Sequence, residues 1–216
     1  TGAFSWTPAE DQDGAHDITV RVSDGTAEDF ETITVTVSEV NVAPVLASIG
    51  SQSVDEQTEL TFTASATDTE LPAQTLTYSL DPGAPTGATI DPSTGAFSWT
   101  PAEDQDGAHD ITVRVSDGTA EDFETITVTV SEVNAAPVLA TIGDKAVDEA
   151  SVLTFTASAT DGDLPAQTLT FSLDPGAPTG AAIDASTGAF SWTPAEDQDG
   201  AHDNTVRVYD GTAEDF

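Results

Sequence analysis

The chain has 216 residues, of which 39 are Asp or Glu and only 4 are Lys or Arg, a formal net charge of −35. Phosphate backbones and anionic membrane surfaces repel such a chain, which excludes nucleic-acid binding and membrane-surface roles. It has no cysteine, which excludes disulfides and thiolate–zinc sites.

One stretch occurs three times. It reads TGAFSWTPAEDQDGAHDITVRVSDGTAEDF at Thr1 and returns at Thr94 and Thr187, 93 residues apart each time. Residues 1–41 and 94–134 are identical; the third copy differs only at Asn204 and Tyr209, where the second has Ile111 and Ser116. A fixed period of that size describes an array of one small domain, each with its own core. The expected division is 1–41, the C-terminal part of a first repeat; 42–134, a complete second repeat; and 135–216, a third repeat lacking its last strand. The chain has no methionine and no run that reads as a signal peptide or membrane span. The expectation is a window from a longer repetitive protein.

In chain order, the second repeat opens at Ala43-Pro44, after the linker Ser38-Glu39-Val40-Asn41. Proline biases its predecessor towards extended conformations and suits a domain boundary. Val45 to Ile49 is a short apolar run. Alternation follows at Leu60/Phe62/Ala64/Ala66, Leu76/Tyr78/Leu80, Phe97/Trp99, Ile111/Val113/Val115 and Ile126/Val128/Val130, with threonine, serine or arginine between. This is period-two patterning. Asp81-Pro82-Gly83, Asp91-Pro92-Ser93-Thr94-Gly95 and Asp117-Gly118 supply the turns. The predicted class is all-β: tandem Greek-key β-sandwich domains of about seven strands each. Asn204 falls where Ile18 and Ile111 face the expected core, and the pattern does not explain it.

The acids gather in loops: Val54-Asp55-Glu56; Asp68-Thr69-Glu70 and its equivalent Asp161-Gly162-Asp163; Glu103-Asp104-Gln105-Asp106; Asp117; and the linkers with Glu39 and Asn41 or Glu132 and Asn134. Crowded carboxylates repel, by about 1 kcal/mol per pair at 4 Å in water. Calcium would turn that cost into binding, since it takes about 6–8 oxygens from carboxylates, amide carbonyls and water. No single cluster suffices, so several must converge.

On VDE, ATDTELPAQTLTYSL, IDPSTGAFSWTP, ITVRVSDG and EVNVAP, the whole period resembles the cadherin-like repeats of bacterial surface proteins, including dystroglycan-type and Ig-like variants. The resemblance implies calcium between consecutive domains. It assigns Glu56, one of Glu103, Asp104 and Asp106, Glu132 and Asn134, with Asp161, Asp163 and Asp210, to one junction. It assigns Glu10, Asp11, Asp13, Glu39, Asn41, Asp68, Glu70 and Asp117 to the other. The linker EVN carries fewer acids than the D-x-N-D-N of cadherins, which implies one or two ions per junction.

The plainer readings are a solvated acidic surface, exposed loop histidines at His16, His109 and His202, core tryptophans at Trp6, Trp99 and Trp192, and a solvated TAEDFE stretch in each repeat. Paired acids alone do not make a glycoside hydrolase, and the expectation is no enzymatic activity. The expected function is a structural, calcium-rigidified repeat of a long secreted or surface-anchored prokaryotic adhesin or filament. Its expected partners are neighbouring repeats of the same chain, other copies in a fibre, and cell-surface or polysaccharide ligands. The alternative is a calcium-dependent carbohydrate-binding module.

Overall fold

The computed structural model describes residues 2–216. It is all-β apart from one 3-10 turn at Glu10–Gln12, so the expected class holds. The chain divides into two compact units, Thr1–Pro101 with Gly107–Val130, and Ala102–Asp106 with Ser131–Phe216.

The first unit opens with β1 (Gly14–Ser23) and β2 (Glu28–Val37), an antiparallel hairpin in register from Gly14↔Val37 to Ser23↔Glu28. Then come β3 (Val45–Leu46), β4 (Gln52–Asp55), β5 (Leu60–Thr63), β6 (Ala66–Thr67), β7 (Thr77–Leu80), β8 (Thr89–Ile90), β9 (Ala96–Trp99), β10 (Gly107–Ser116) and β11 (Glu121–Ser131). They form a four-stranded sheet, β4-β11-β10-β7, a three-stranded sheet, β5-β9-β8, and the short pair β3-β6. The two larger sheets together contain the seven strands expected of one repeat.

The alternation in the sequence sets which face each sheet buries. Ile111, Val113 and Val115 of β10 and Ile126, Val128 and Val130 of β11 join Phe97, Trp99, Tyr78 and Ala64 in one core. The indole N–H of Trp99 donates to Thr86 O at 3.2 Å, which gives this buried ring the polar partner it needs.

The period does not stop where the apolar residues do. Val113 lies opposite Glu124 and Val115 opposite Asp122, so both acids sit on the face that carries the core. There Asp122 accepts the Leu46 N–H at 2.8 Å, and Glu124 accepts Ile49 N–H at 2.6 Å, Gly50 N–H and the Ser48 hydroxyl. These bonds, that from Ile49 first, hold the Glu124 carboxyl below its usual range. The expectation that the TAEDFE copies are simply solvated is therefore corrected for the second: its acids fasten the opening segment of the repeat to β11. On the outer face Arg114 lies over the Phe123 ring at 4.8 Å and pairs with Asp81 through two nitrogens and with Glu121 at 3.0 Å. Thr112 and Thr125 hydroxyls meet at 2.8 Å.

The second unit repeats the plan with β12 (Val138–Leu139), β13 (Leu153–Thr156), β14 (Ala159–Thr160), β15 (Thr170–Leu173), β16 (Ala182–Ile183), β17 (Ala189–Trp192), β18 (Val206–Tyr209) and β19 (Glu214–Asp215). Its sheets are β15-β18-β19, β13-β17-β16 and β12-β14. Phe171, Val206, Val208 and Ala157 form its core, and Trp192 is also buried. Arg207 repeats the outer-face cluster with Asp174, Glu214 and the Phe216 ring. Asn204 does not face the core: it is exposed and precedes β18. In the second repeat Ile111 is held opposite Ile126, whereas β18 pairs with β19 only at Val208 and Tyr209, so position 204 lies outside the ladder. The tryptophan reading holds at Trp99 and Trp192, while Trp6 is half-buried.

One turn admits only glycine. Gly95 has φ +70, and a Cβ there would lie 2.3 Å from Ala64 O; Gly188 repeats this against Ala157 O at 2.4 Å. Beside each turn an aspartate takes the loop's donors. Ser93 and Thr94 hydrogen bonds hold the Asp91 carboxyl at about 2, and Ser186 and Thr187 do the same for Asp184, also at about 2.

Gly95→Ala and Gly188→Ala each lose about 1–3 kcal/mol from backbone strain and the clash, read as a lower thermal midpoint. A carboxyl-detected NMR titration places Asp91 and Asp184 near pH 2. Because both folded values lie below the ordinary 3.8, their stabilisation is complete above that pH and is lost as pH falls through about 2. Melting temperature therefore drops on acidification from pH 4 to 2, less so in Asp91→Asn.

Candidate metal centres

Each site grows from a hairpin that the core has already aligned. β10 and β11 are pinned by their buried valines and isoleucines, so the loop between them, Asp117 to Ala120, has a fixed position. Asp117 Oδ1 accepts the N–H groups of Thr119 and Ala120, both at 2.6 Å. This is the usual way an aspartate closes its own turn. The Ala120 bond, followed by that from Asn41, draws the Asp117 carboxyl below its normal range. Its other oxygen, Oδ2, accepts from Asn41 Nδ2 at 3.0 Å.

Asn41 ties the linker into this corner, since Nδ2 also donates to Val42 O at 3.1 Å. Gln74 Nε2 donates to Asn41 Oδ1 at 3.2 Å and to the Glu70 carboxylate. Glu70 also accepts the Val42 N–H and is only 3% exposed. Asp68, Glu70 and Asp117 each place a carboxylate oxygen within 4.8 Å of the others.

The second unit builds the same corner from the equivalent residues. Asn134 Nδ2 donates to Asp210 Oδ2 at 3.0 Å and to Ala135 O at 2.9 Å. Gln167 Nε2 donates to Asn134 Oδ1 at 2.9 Å and Asp163 Oδ2 at 2.8 Å. Asp163 accepts the Ala135 N–H at 2.9 Å, and Asp161 Oδ1 accepts the Asp163 N–H at 3.1 Å. Asp161, Asp163 and Asp210 lie within the same 4.8 Å, with Asp163 at 3% and Asp210 at 7% exposure. Burial pushes the Asp210 carboxyl up, but N–H bonds from Ala213 and Thr212 and the Asn134 amide outweigh it and leave the group lowered.

The donor sets fit a hard divalent cation. They consist of carboxylates and amide oxygens, the ligands that calcium takes. Hydrogen bonding within the protein also leaves part of each set unused. Asp68 Oδ2 and Asp161 Oδ2 are buried oxygens with no hydrogen-bond partner, although buried polar atoms are normally satisfied.

The remaining acids expected at the sites are placed less closely. Glu10, Asp13 and Glu39 line one open hollow in the first unit. Loss of hydration there, then the charges of Glu10 and Asp13, push the Glu39 carboxyl up. Glu103 and Glu132 of the second unit carry carboxylates within 4.8 Å of each other. Glu56, in the first unit, is 2% exposed. Asp11, Asp104 and Asp106 are exposed and stand outside the three-carboxylate groups found among the described residues. The two glutamines, Gln74 and Gln167, escaped sequence reasoning because an uncharged residue four positions beyond an acid carries no signal of its own. The LPAQ stretch common to both repeats was the available clue.

The family model described as "Putative Ig domain" matches residues 43–131 and 136–215. No curated protein matches the chain. Among solved structures the chain is similar to human protocadherin-24 EC1-2, at 20% identity over 79% of this chain and 88% of that one, TM-score 0.46. It is similar to the protocadherin gammaB4 extracellular domain, at 19% identity over 96% and 39%, TM-score 0.45. It is also similar to an endo-fucoidan hydrolase from glycoside hydrolase family 107, at 18% identity over 97% and 34%, TM-score 0.37. The chain thus spans about a third of the length of that hydrolase.

Asn134→Ala removes two donated bonds and one accepted bond. It lowers stability by about 2 kcal/mol, read as a fall of several degrees in melting temperature, whereas Asp104→Ala leaves the midpoint unchanged.

Proposed function

Because the chain belongs to the Putative Ig domain family, matched over two consecutive repeats, we propose that it is a structural, calcium-rigidified part of a long extracellular adhesin or surface filament. The repeats serve as spacer, stalk or fibre body, secreted or held at a prokaryotic cell surface. No helix of the described residues is long and apolar enough to cross a membrane.

One observation carries this reading. At two positions one period apart, the same asparagine of the inter-repeat linker is hydrogen-bonded to the same hairpin aspartate, beside a buried acid and a carboxylate oxygen that nothing satisfies. A surface that is acidic only for solubility has no need to bury such groups, because desolvating a carboxylate is costly unless it is paired.

A bound calcium ion supplies the missing positive charge and directed bonds to several oxygens at once. Asp68, Glu70, Asp117 and Asn41 would hold it at one junction, and Asp161, Asp163, Asp210 and Asn134 at the other. By resemblance, Glu10, Asp11, Asp13 and Glu39 complete the first set. Glu56, Glu132 and one of Glu103, Asp104 and Asp106 complete the second. The linker asparagines couple linker to hairpin, so fixing the loops also fixes the linker. Without a cation the carboxylates repel one another and the linker, held only by hydrogen bonds to the asparagine and the acidic loop, is less stiff. The partners that follow are adjacent repeats of the same chain and further copies in a fibre. No catalytic role is assigned.

Small-angle scattering of the chain in millimolar calcium and again in chelator tests this reading. The expected result is a longer, stiffer particle with calcium and a higher melting temperature, at an affinity of about 10⁻⁴ to 10⁻³ M as in extracellular calcium modules. Identical scattering and identical melting in the two conditions overturn it. Retention on polysaccharide columns by calcium-loaded chain, with no change in stiffness, supports the carbohydrate-binding alternative.

A further inference from the structure

The two glutamines that complete the corners stand in an unexpected chemical sense. A cation needs oxygens facing it, yet here a nitrogen faces the oxygens. Gln167 Nε2 is shared between Asn134 Oδ1 at 2.9 Å and Asp163 Oδ2 at 2.8 Å. Gln74 Nε2 is shared between Asn41 Oδ1 at 3.2 Å and Glu70 Oε2. The arrangement survives a change of acid, Glu70 in one repeat and Asp163 in the other, so it does not depend on one side-chain length.

Resting on the calcium reading above, we propose that Gln74 and Gln167 are built-in competitors for the cation and set the affinity of their sites. The carboxamide NH₂ carries partial positive charge on two donors and no lone pair to coordinate with. It bridges one amide oxygen and one buried carboxylate, two of the oxygens assigned to the ion. It therefore does in part what the ion would do, drawing the linker asparagine and the acidic loop together. The bond from asparagine to the hairpin aspartate extends this into one relay, glutamine to asparagine to aspartate, with all donors pointing the same way.

The substitution is incomplete. A single NH₂ satisfies two oxygens, and Asp68 Oδ2, Asp161 Oδ2 and the Oε1 of Gln74 itself remain without partners. A divalent ion has charge and coordination to spare for those carboxylate oxygens as well. To enter, it must displace the NH₂ from both acceptors, so part of its binding free energy is used to break existing bonds. The glutamine thereby keeps the ion-free corner assembled and weakens binding.

Calorimetric titration of calcium chloride into the full chain tests this, using the wild type, Gln74→Leu, Gln167→Leu and the double variant, with melting measured in chelator. Leucine keeps the bulk and removes the donor. The expected result is roughly tenfold tighter calcium binding at the altered site, together with a lower melting temperature in chelator. Gln167→Glu, which keeps the shape and adds a charge, moves both readouts in the same direction. Weaker binding in the leucine variants overturns the proposal, because the carboxamide would then be a ligand through Oε1. Unchanged affinity with unchanged ion-free melting also overturns it. A wild-type chain that takes up no calcium overturns the calcium reading itself, and the competitor with it.

Discussion

Mutual repulsion among carboxylates is the constraint that the rest of this structure answers. With 39 acids and 4 bases, ion pairing cannot neutralise the chain. Two of the four bases, Arg114 and Arg207, each hold two acids and lie over a phenylalanine ring. Several other acids accept from backbone N–H groups and hydroxyls. Asp91 and Asp184 close their own turns, and Asp122 and Glu124 take the N–H groups of the segment that opens the repeat. Such bonds are charge-assisted and stronger than neutral ones, so the excess acid is turned to structural use.

That solution runs out at the linker. Three carboxylates meet there in each corner, two amides are the side-chain donors available, and one carboxylate oxygen in each set is left over. The location follows from the fold. A sandwich buries the middles of its strands and presents its loops at its two ends. The loop after β6, the β10–β11 hairpin and the incoming linker share one end of the repeat, as the bonds among Glu70, Asp117 and Asn41 require. The rigid core thus positions a site to which it contributes no side chain.

Much of this was legible in the residues. Alternation at Ile111/Val113/Val115 and Ile126/Val128/Val130 named the core faces of β10 and β11, and the same period, carried two steps further, put Asp122 and Glu124 on that face. The TAEDFE reading missed this because acids are assumed to be solvated, and an edge where backbone N–H groups await acceptors is invisible until the segment at residues 46–50 is in place. Asp68, Glu70, Asp161, Asp163, Asp117 and Asp210 were recognisable as loop acids. The glutamines were not, because an amide gains its meaning from what it touches.

The repeat, the all-β class, the strand faces and the loop position of the acids were determined by the sequence alone. Each depends on local rules: a period of two, a turn residue, or identity at a distance of 93 residues. Which acids meet, which oxygens stay unpaired and which way an amide points were decided only by tertiary structure. Those facts join residues up to 76 positions apart, and electrostatic interaction depends on distance through space, which the chain acquires only when its sheets close on one another.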